Sequence, residues 1–107
     1  MKEIRVGIIG FGSMGKTHSY VLENLKFFYN PLGFLPRVVA VTTAHAETAR
    51  KAAEFLGCDA AADEDELIAR PDVDVVDICT PNIYHYETLK KAIAAKKHIY
   101  CEKPLCV

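Results

Sequence analysis

Short β-branched runs alternate along the chain with longer stretches in which apolar residues recur every three or four positions. That alternation predicts a parallel sheet covered by helices. Residues 4–10, Ile-Arg-Val-Gly-Ile-Ile-Gly, are nearly continuous in apolar character after their first polar position and predict a first strand buried on both faces. Met14, His18, Val21, Leu22, Leu25 and Phe28 then fall on one face of a helix over residues 14–28, expected to pack on the sheet. Two prolines and a glycine in residues 29–36 break that helix and predict a loop before a second strand over residues 37–42. Ala46, Ala49, Ala52, Ala53 and Leu56 form a small-residue helical face closed by Gly57 as C-cap, followed by a brief strand over residues 58–60.

The acidic run Asp63-Glu64-Asp65-Glu66 reads as a solvated first helical turn whose carboxylates oppose the positive end of the helix dipole, and Pro71 ends that short helix. A fourth strand is expected over residues 72–80. Pro81 and Asn82 turn it into a helix with Tyr86, Leu89, Ala92 and Ile93 inward, and residues 98–101 form a fifth strand. Lys90, Lys91, Lys96 and Lys97 suit the negative end of that helix. The fold class is therefore α/β, a Rossmann-type doubly wound parallel sheet in three α/β/α layers.

Composition narrows the function. The 107 residues are 50% hydrophobic and 25% charged, which excludes a disordered or low-complexity chain. A net charge of −1 removes any bulk electrostatic case for nucleic acid or an anionic membrane as partner. The apolar runs fall far short of the roughly 20 residues that cross a bilayer. Met1-Lys2-Glu3-Ile4 has no secretory character, so a cytoplasmic location is expected. No pair among Cys58, Cys79, Cys101 and Cys106 has C-x2-C spacing, so they are expected to be free thiols and no metal site is expected.

Gly10-Phe11-Gly12-Ser13-Met14-Gly15 is a G-x-G-x-x-G motif between a predicted strand and a predicted helix, the context that gives the motif meaning. Gly10 permits the tight turn, Gly12 admits a pyrophosphate to the backbone, and Gly15 lets the helix sit close to the strand. The N–H groups at the helix start then attract the diphosphate. An NAD-type site usually carries Asp or Glu at the end of the second strand. Here that end reads Thr42-Thr43-Ala44-His45 with Arg50 a turn later, a set able to receive a 2′-phosphate, so NADP is favoured over NAD.

Three motifs in this order resemble the N-terminal dinucleotide-binding domain of the Gfo/Idh/MocA oxidoreductases: the glycine loop, the run from Val76 through Asp77, Ile78, Cys79, Thr80, Pro81 and Asn82 to His85, and Glu102-Lys103-Pro104. The resemblance implies that Thr80, Pro81, Asn82 and His85 border the cofactor at its nicotinamide end. It implies that Glu102 positions the loop or the cofactor, and that Lys103 binds and polarises the substrate oxygen as the catalytic residue. It further implies that residues 1–107 are the NAD(P)-binding part of a longer two-domain oxidoreductase. That enzyme would act on a sugar, polyol or related substrate and would be homo-oligomeric, while the isolated chain would be inactive, ending before the last strand of its sheet. A dinucleotide-sensing module without catalysis is the alternative on the same fold.

Overall fold

The computed structural model describes residues 2–29 and 33–101. Five parallel strands, β1 (Lys2–Ile9), β2 (Phe34–Thr42), β3 (Asp59–Ala60), β4 (Val75–Ile78) and β5 (His98–Cys101), lie in the order β3-β2-β1-β4-β5. Four helices connect them: α1 (Ser13–Phe28), α2 (Ala46–Leu56), α3 (Glu64–Ala69) and α4 (His85–Ala94), the last preceded by a 3-10 turn at Asn82–Tyr84.

The carboxyl-terminal halves of β1 and β2 and most of β4 are buried on both faces, and the two faces hold separate cores. Val6, Ile8 and Val41 pack with Ala52, Ala53, Leu22 and Leu56 beneath α1 and α2. Ile9, Val39, Val76 and Ile78 pack with Leu67, Ile68 and Ala92 of α3 and α4. This is the expected three-layer doubly wound arrangement. Alternation along β2 is interrupted where the register to β1 shifts from Val6↔Val38 to Gly7↔Ala40, leaving Val39 as the extra residue of a bulge. Val38 and Val41 can therefore share one face while Val39 and Ala40 share the other.

Several boundaries and faces differ from expectation for identifiable reasons. Strand β2 starts at Phe34 and contains Pro36, because β3 pairs only with Ala40 and Val41 and β2 is still an edge strand at the proline. The face that α1 turns to the sheet is Gly15, His18, Ser19 and Leu22, while Met14, Val21 and Phe28 are exposed. Close approach of Gly15 to the Gly10 carbonyl sets that phase, since a Cβ at position 15 would overlap the carbonyl oxygen. In α4 the inward residues are His85, Thr88 and Ala92, and Tyr86 and Ile93 face outward. Glu64 draws this flank in by accepting hydrogen bonds from Thr88 Oγ1 at 2.6 Å and Lys91 Nζ at 2.9 Å.

The acidic turn is accordingly more than a solvated face. Asp63 caps α3 by accepting from the Glu66 N–H at 2.8 Å, and Glu66 reaches back to accept from the Ala62 N–H at 3.3 Å. Gly57 ends α2 in the left-handed region at φ 72°, as its position predicts.

Strand β4 begins only at Val75, and Asp74 just ahead of it is tied to Arg5 of β1. Its carboxylate accepts from the Arg5 backbone N–H at 2.8 Å and from Arg5 Nε and Nη2 at 3.1 Å. These bonds hold the Asp74 carboxyl down at about 2. A depressed carboxyl stabilises the fold fully above its unfolded value near 4 and loses that contribution as pH falls toward 2. Urea midpoints measured between pH 5 and 2 are expected to fall more steeply for this chain than for Asp74→Asn; parallel pH profiles would contradict the assignment.

Candidate dinucleotide site

The carboxyl ends of β1, β2 and β4 meet at one point. The Gly10 N–H donates to the Thr42 carbonyl at 2.8 Å and the Cys79 N–H donates to the Ile9 carbonyl at 2.8 Å. The chain leaves β1 to one side for β2 and later returns on the other side for β4, so this is the switch point at which open α/β sheets bind ligands. A cleft of about 860 Å³ opens there. Its lining includes Gly10, Phe11, Gly12, Ser13 and Met14 from the glycine loop, Thr42 and Thr43 from the end of β2, and Thr80 and Pro81 beyond β4. A smaller hollow of about 370 Å³ lies away from the glycine loop, at Leu22, Arg37 and Leu56.

The three loop glycines have different jobs. Gly10 has φ +94°, and a Cβ there would stand 2.9 Å from the backbone carbon and oxygen of Cys79. Gly15 lies against the Gly10 carbonyl. Gly12 has an ordinary extended conformation and a Cβ on it would meet nothing within 4 Å, so its missing side chain leaves room on the cleft side. Gly12 is also the N-cap of α1 and supplies no side-chain cap, and the first intrahelical bond there runs from the Lys16 N–H to the Gly12 carbonyl. The preceding N–H groups of the first turn have no helical partner and stand at the positive end of a 16-residue helix with no acidic residue in that turn. Thr42 Oγ1 and Thr80 Oγ1 are buried without a hydrogen-bond partner among the described residues, although both residues line the cleft. An anion-binding helix start, a vacant Cβ position and two unsatisfied hydroxyls fit a diphosphate-bearing ligand.

Other predicted residues stand apart from this lining. His45 is the exposed N-cap of α2, and only its carbonyl is used, accepting from Thr43 Oγ1 at 2.8 Å and Thr48 Oγ1 at 2.9 Å. Arg50 is held by Glu47 at 2.6 Å and Glu54 at 2.7 Å, so its guanidinium is engaged on the surface of α2. Asn82 begins the 3-10 turn outside the lining. His85 is completely buried, and its Nε2 lies 2.8 Å from the Thr80 carbonyl, so it touches the cleft wall from behind. Glu102 and Lys103 lie outside the described residues.

Thr48, Asp63, Glu64, Cys79 and Thr88 also line the cleft without having been singled out as site residues. Cys79 was legible as the residue next to Thr80. Asp63 and Glu64 were concealed within an acidic run, and no local pattern marks Thr48 or Thr88. A further polar group lies under the cleft: His18 Nδ1 is 2.9 Å from both Asp77 carboxylate oxygens, and Cys79 Sγ is 3.3 Å from Asp77 Oδ1. The His18 spacing from Gly15 reads equally as a packing position, which hid it.

Residues 4–107 match the family model described as "Oxidoreductase family, NAD-binding Rossmann fold". The chain is 42% identical over 106 residues to the levoglucosan dehydrogenase of Pseudarthrobacter phenanthrenivorans, covering 98% of this chain and 27% of that protein. It is 36% identical over 103 residues to the myo-inositol 2-dehydrogenase of Thermotoga maritima, covering 95% of this chain and 28% of that protein. Among solved structures, levoglucosan dehydrogenase in complex with NADH and levoglucosan superposes with a TM-score of 0.93 at 40% identity, over 98% of this chain and 28% of that one. The chain thus spans little more than a quarter of the length of these relatives. With the glycine loop, the parallel sheet and the cleft at its switch point, the match over residues 4–107 places the chain in the Gfo/Idh/MocA oxidoreductase family, as an NAD-binding Rossmann domain.

Proposed function

We propose that this domain serves a longer, two-domain oxidoreductase that uses NAD(H) to interconvert a hydroxyl and a carbonyl on a sugar or polyol. The observation that carries the reading is the open Cβ position of Gly12 over the uncapped start of α1, on a cleft walled by Thr42 and Thr80. The bound nicotinamide supplies hydride transfer, and the protein supplies binding, orientation and proton handling. In this reading the N–H groups of Ser13 and Met14 receive the diphosphate. Thr42 and Thr43 border the adenosine end, and Thr80 and Pro81 border the nicotinamide end. Asn82 and His85 act on the cofactor indirectly, His85 by holding the Thr80 carbonyl. Lys103, two residues beyond the end of β5, binds and polarises the substrate oxygen, and Glu102 orients that segment.

The sugar or polyol class is supported by the relatives, which are named as dehydrogenases of levoglucosan and inositol. Those names also favour a catalytic role over a sensing one. Among the described residues no helix is long and apolar enough to cross a membrane.

We assign the cofactor as NAD(H), against the preference for NADP drawn from Thr42, Thr43, His45 and Arg50. The described lining carries no Lys or Arg, includes Asp63 and Glu64, and Arg50 is neutralised by two carboxylates. A 2′-phosphate would meet no counter-charge from these residues. Calorimetric titration of the chain is expected to give NADH at least tenfold tighter binding than NADPH, a difference of about 1.4 kcal/mol. NADPH binding as tight as NADH would overturn the assignment.

A further inference from the structure

Three potential metal ligands converge beneath the cleft from positions far apart in sequence. One ligand atom each from His18, Asp77 and Cys79 lies within 4.8 Å of the others, with His18 and Asp77 buried. His18 Nδ1 is 2.9 Å from Asp77 Oδ2 and 3.4 Å from Cys79 Sγ, and Cys79 Sγ is 3.3 Å from Asp77 Oδ1. Zinc bonds of about 2.0–2.3 Å to N, O and S put tetrahedral ligand edges at roughly 3.4–3.6 Å. The observed spacings therefore open into a metal cradle with side-chain movements of a few tenths of an ångström.

We propose that His18, Asp77 and Cys79 form a three-ligand site for a borderline-soft divalent cation of the zinc type, entered from the dinucleotide cleft. Imidazole, carboxylate and thiolate are the donor set such ions prefer. The approach runs past Cys79, which lines the cleft. The Tyr100 ring, 4.8 Å from the His18 imidazole, holds that ligand in place. Charge favours the exchange as well. In the hydrogen-bonded arrangement the thiol and the imidazole N–H both point at a buried carboxylate. On binding, the Cys79 thiol releases its proton to solvent and the metal takes the Nδ1 lone pair of a neutral His18. A dication facing one carboxylate and one thiolate is then an electroneutral buried group, the form that costs least to bury.

The test is calorimetric titration of the chain with zinc chloride in a Cys58→Ser/Cys101→Ser/Cys106→Ser background, repeated with cobalt to read the thiolate-to-cobalt absorption band. One ion per chain, a cobalt–thiolate band, and affinity weakened at least tenfold by Cys79→Ser are expected. Affinity unchanged by Cys79→Ser, or cobalt binding without the band, would overturn the proposal. Should Cys79→Ser fail to fold, the background protein decides alone: zinc should slow alkylation of Cys79 by iodoacetamide at least tenfold, and an unchanged rate would overturn the site. Its position against the cofactor rests on the function proposed above. NADH should bind more weakly to the zinc-loaded chain, and unchanged NADH affinity would overturn entry from the cleft. A chain that binds zinc in this manner but no NADH would sink the cofactor reading and leave the metal site standing.

Discussion

Gly12→Val is expected to weaken NADH binding by at least 100-fold while the chain stays folded. The position already has backbone angles open to any residue, and a Cβ there touches nothing in the protein. The folding cost is limited to a poorer helix N-cap, about 1 kcal/mol. The branched side chain instead occupies the space beside the first N–H groups of α1. Hydrogen bonds to a charged partner contribute about 1.5–3 kcal/mol each, so displacing a diphosphate from two of them accounts for a 100-fold loss. Calorimetry with NADH beside circular dichroism of the same samples reads both parts. Wild-type affinity in a folded Gly12→Val protein would place the dinucleotide elsewhere.

Gly10→Ala, two residues away, is expected to show the opposite pattern, with stability as the primary casualty. At φ +94° an L residue is strained by about 1–2 kcal/mol. Its methyl would also press on the Cys79 carbonyl at 2.9 Å, and that carbonyl belongs to backbone tied to β1 by the Cys79 N–H bond to Ile9. With overpacking added, the expected loss is about 2–4 kcal/mol. It would be read as a lower urea midpoint at unchanged denaturant slope. A loss below about 0.5 kcal/mol, the range of an inconsequential surface change, would show that the loop can relax and that Gly10 is not required by the turn. The two outcomes together would separate, within one motif, a glycine kept for the ligand from a glycine kept for the fold.

The chain's sequence determined its element order, its fold class and its glycine loop, because each depends on local periodicity or local backbone freedom. The apolar continuity of residues 4–9 requires a strand covered twice, and G-x-G-x-x-G between strand and helix specifies a turn whose geometry is set within six residues. Gly57 as a C-cap and residues 98–101 as a strand were legible on the same grounds.

What depends on contacts between distant segments required the tertiary structure. The expected α1 face holds at His18 and Leu22 but not at Met14 and Val21, because hydropathy favours those two whereas the helix phase is set by Gly15 against the Gly10 carbonyl. Arg50 reads as a phosphate ligand by its spacing alone, but its guanidinium is engaged by Glu47 and Glu54. That His85 stands behind the cleft wall, with its Nε2 on the Thr80 carbonyl, follows only from the packing of α4. His18, Asp77 and Cys79 acquire a shared chemistry only when α1 is laid over β4, since 59 residues separate the first two and no spacing rule reaches that far.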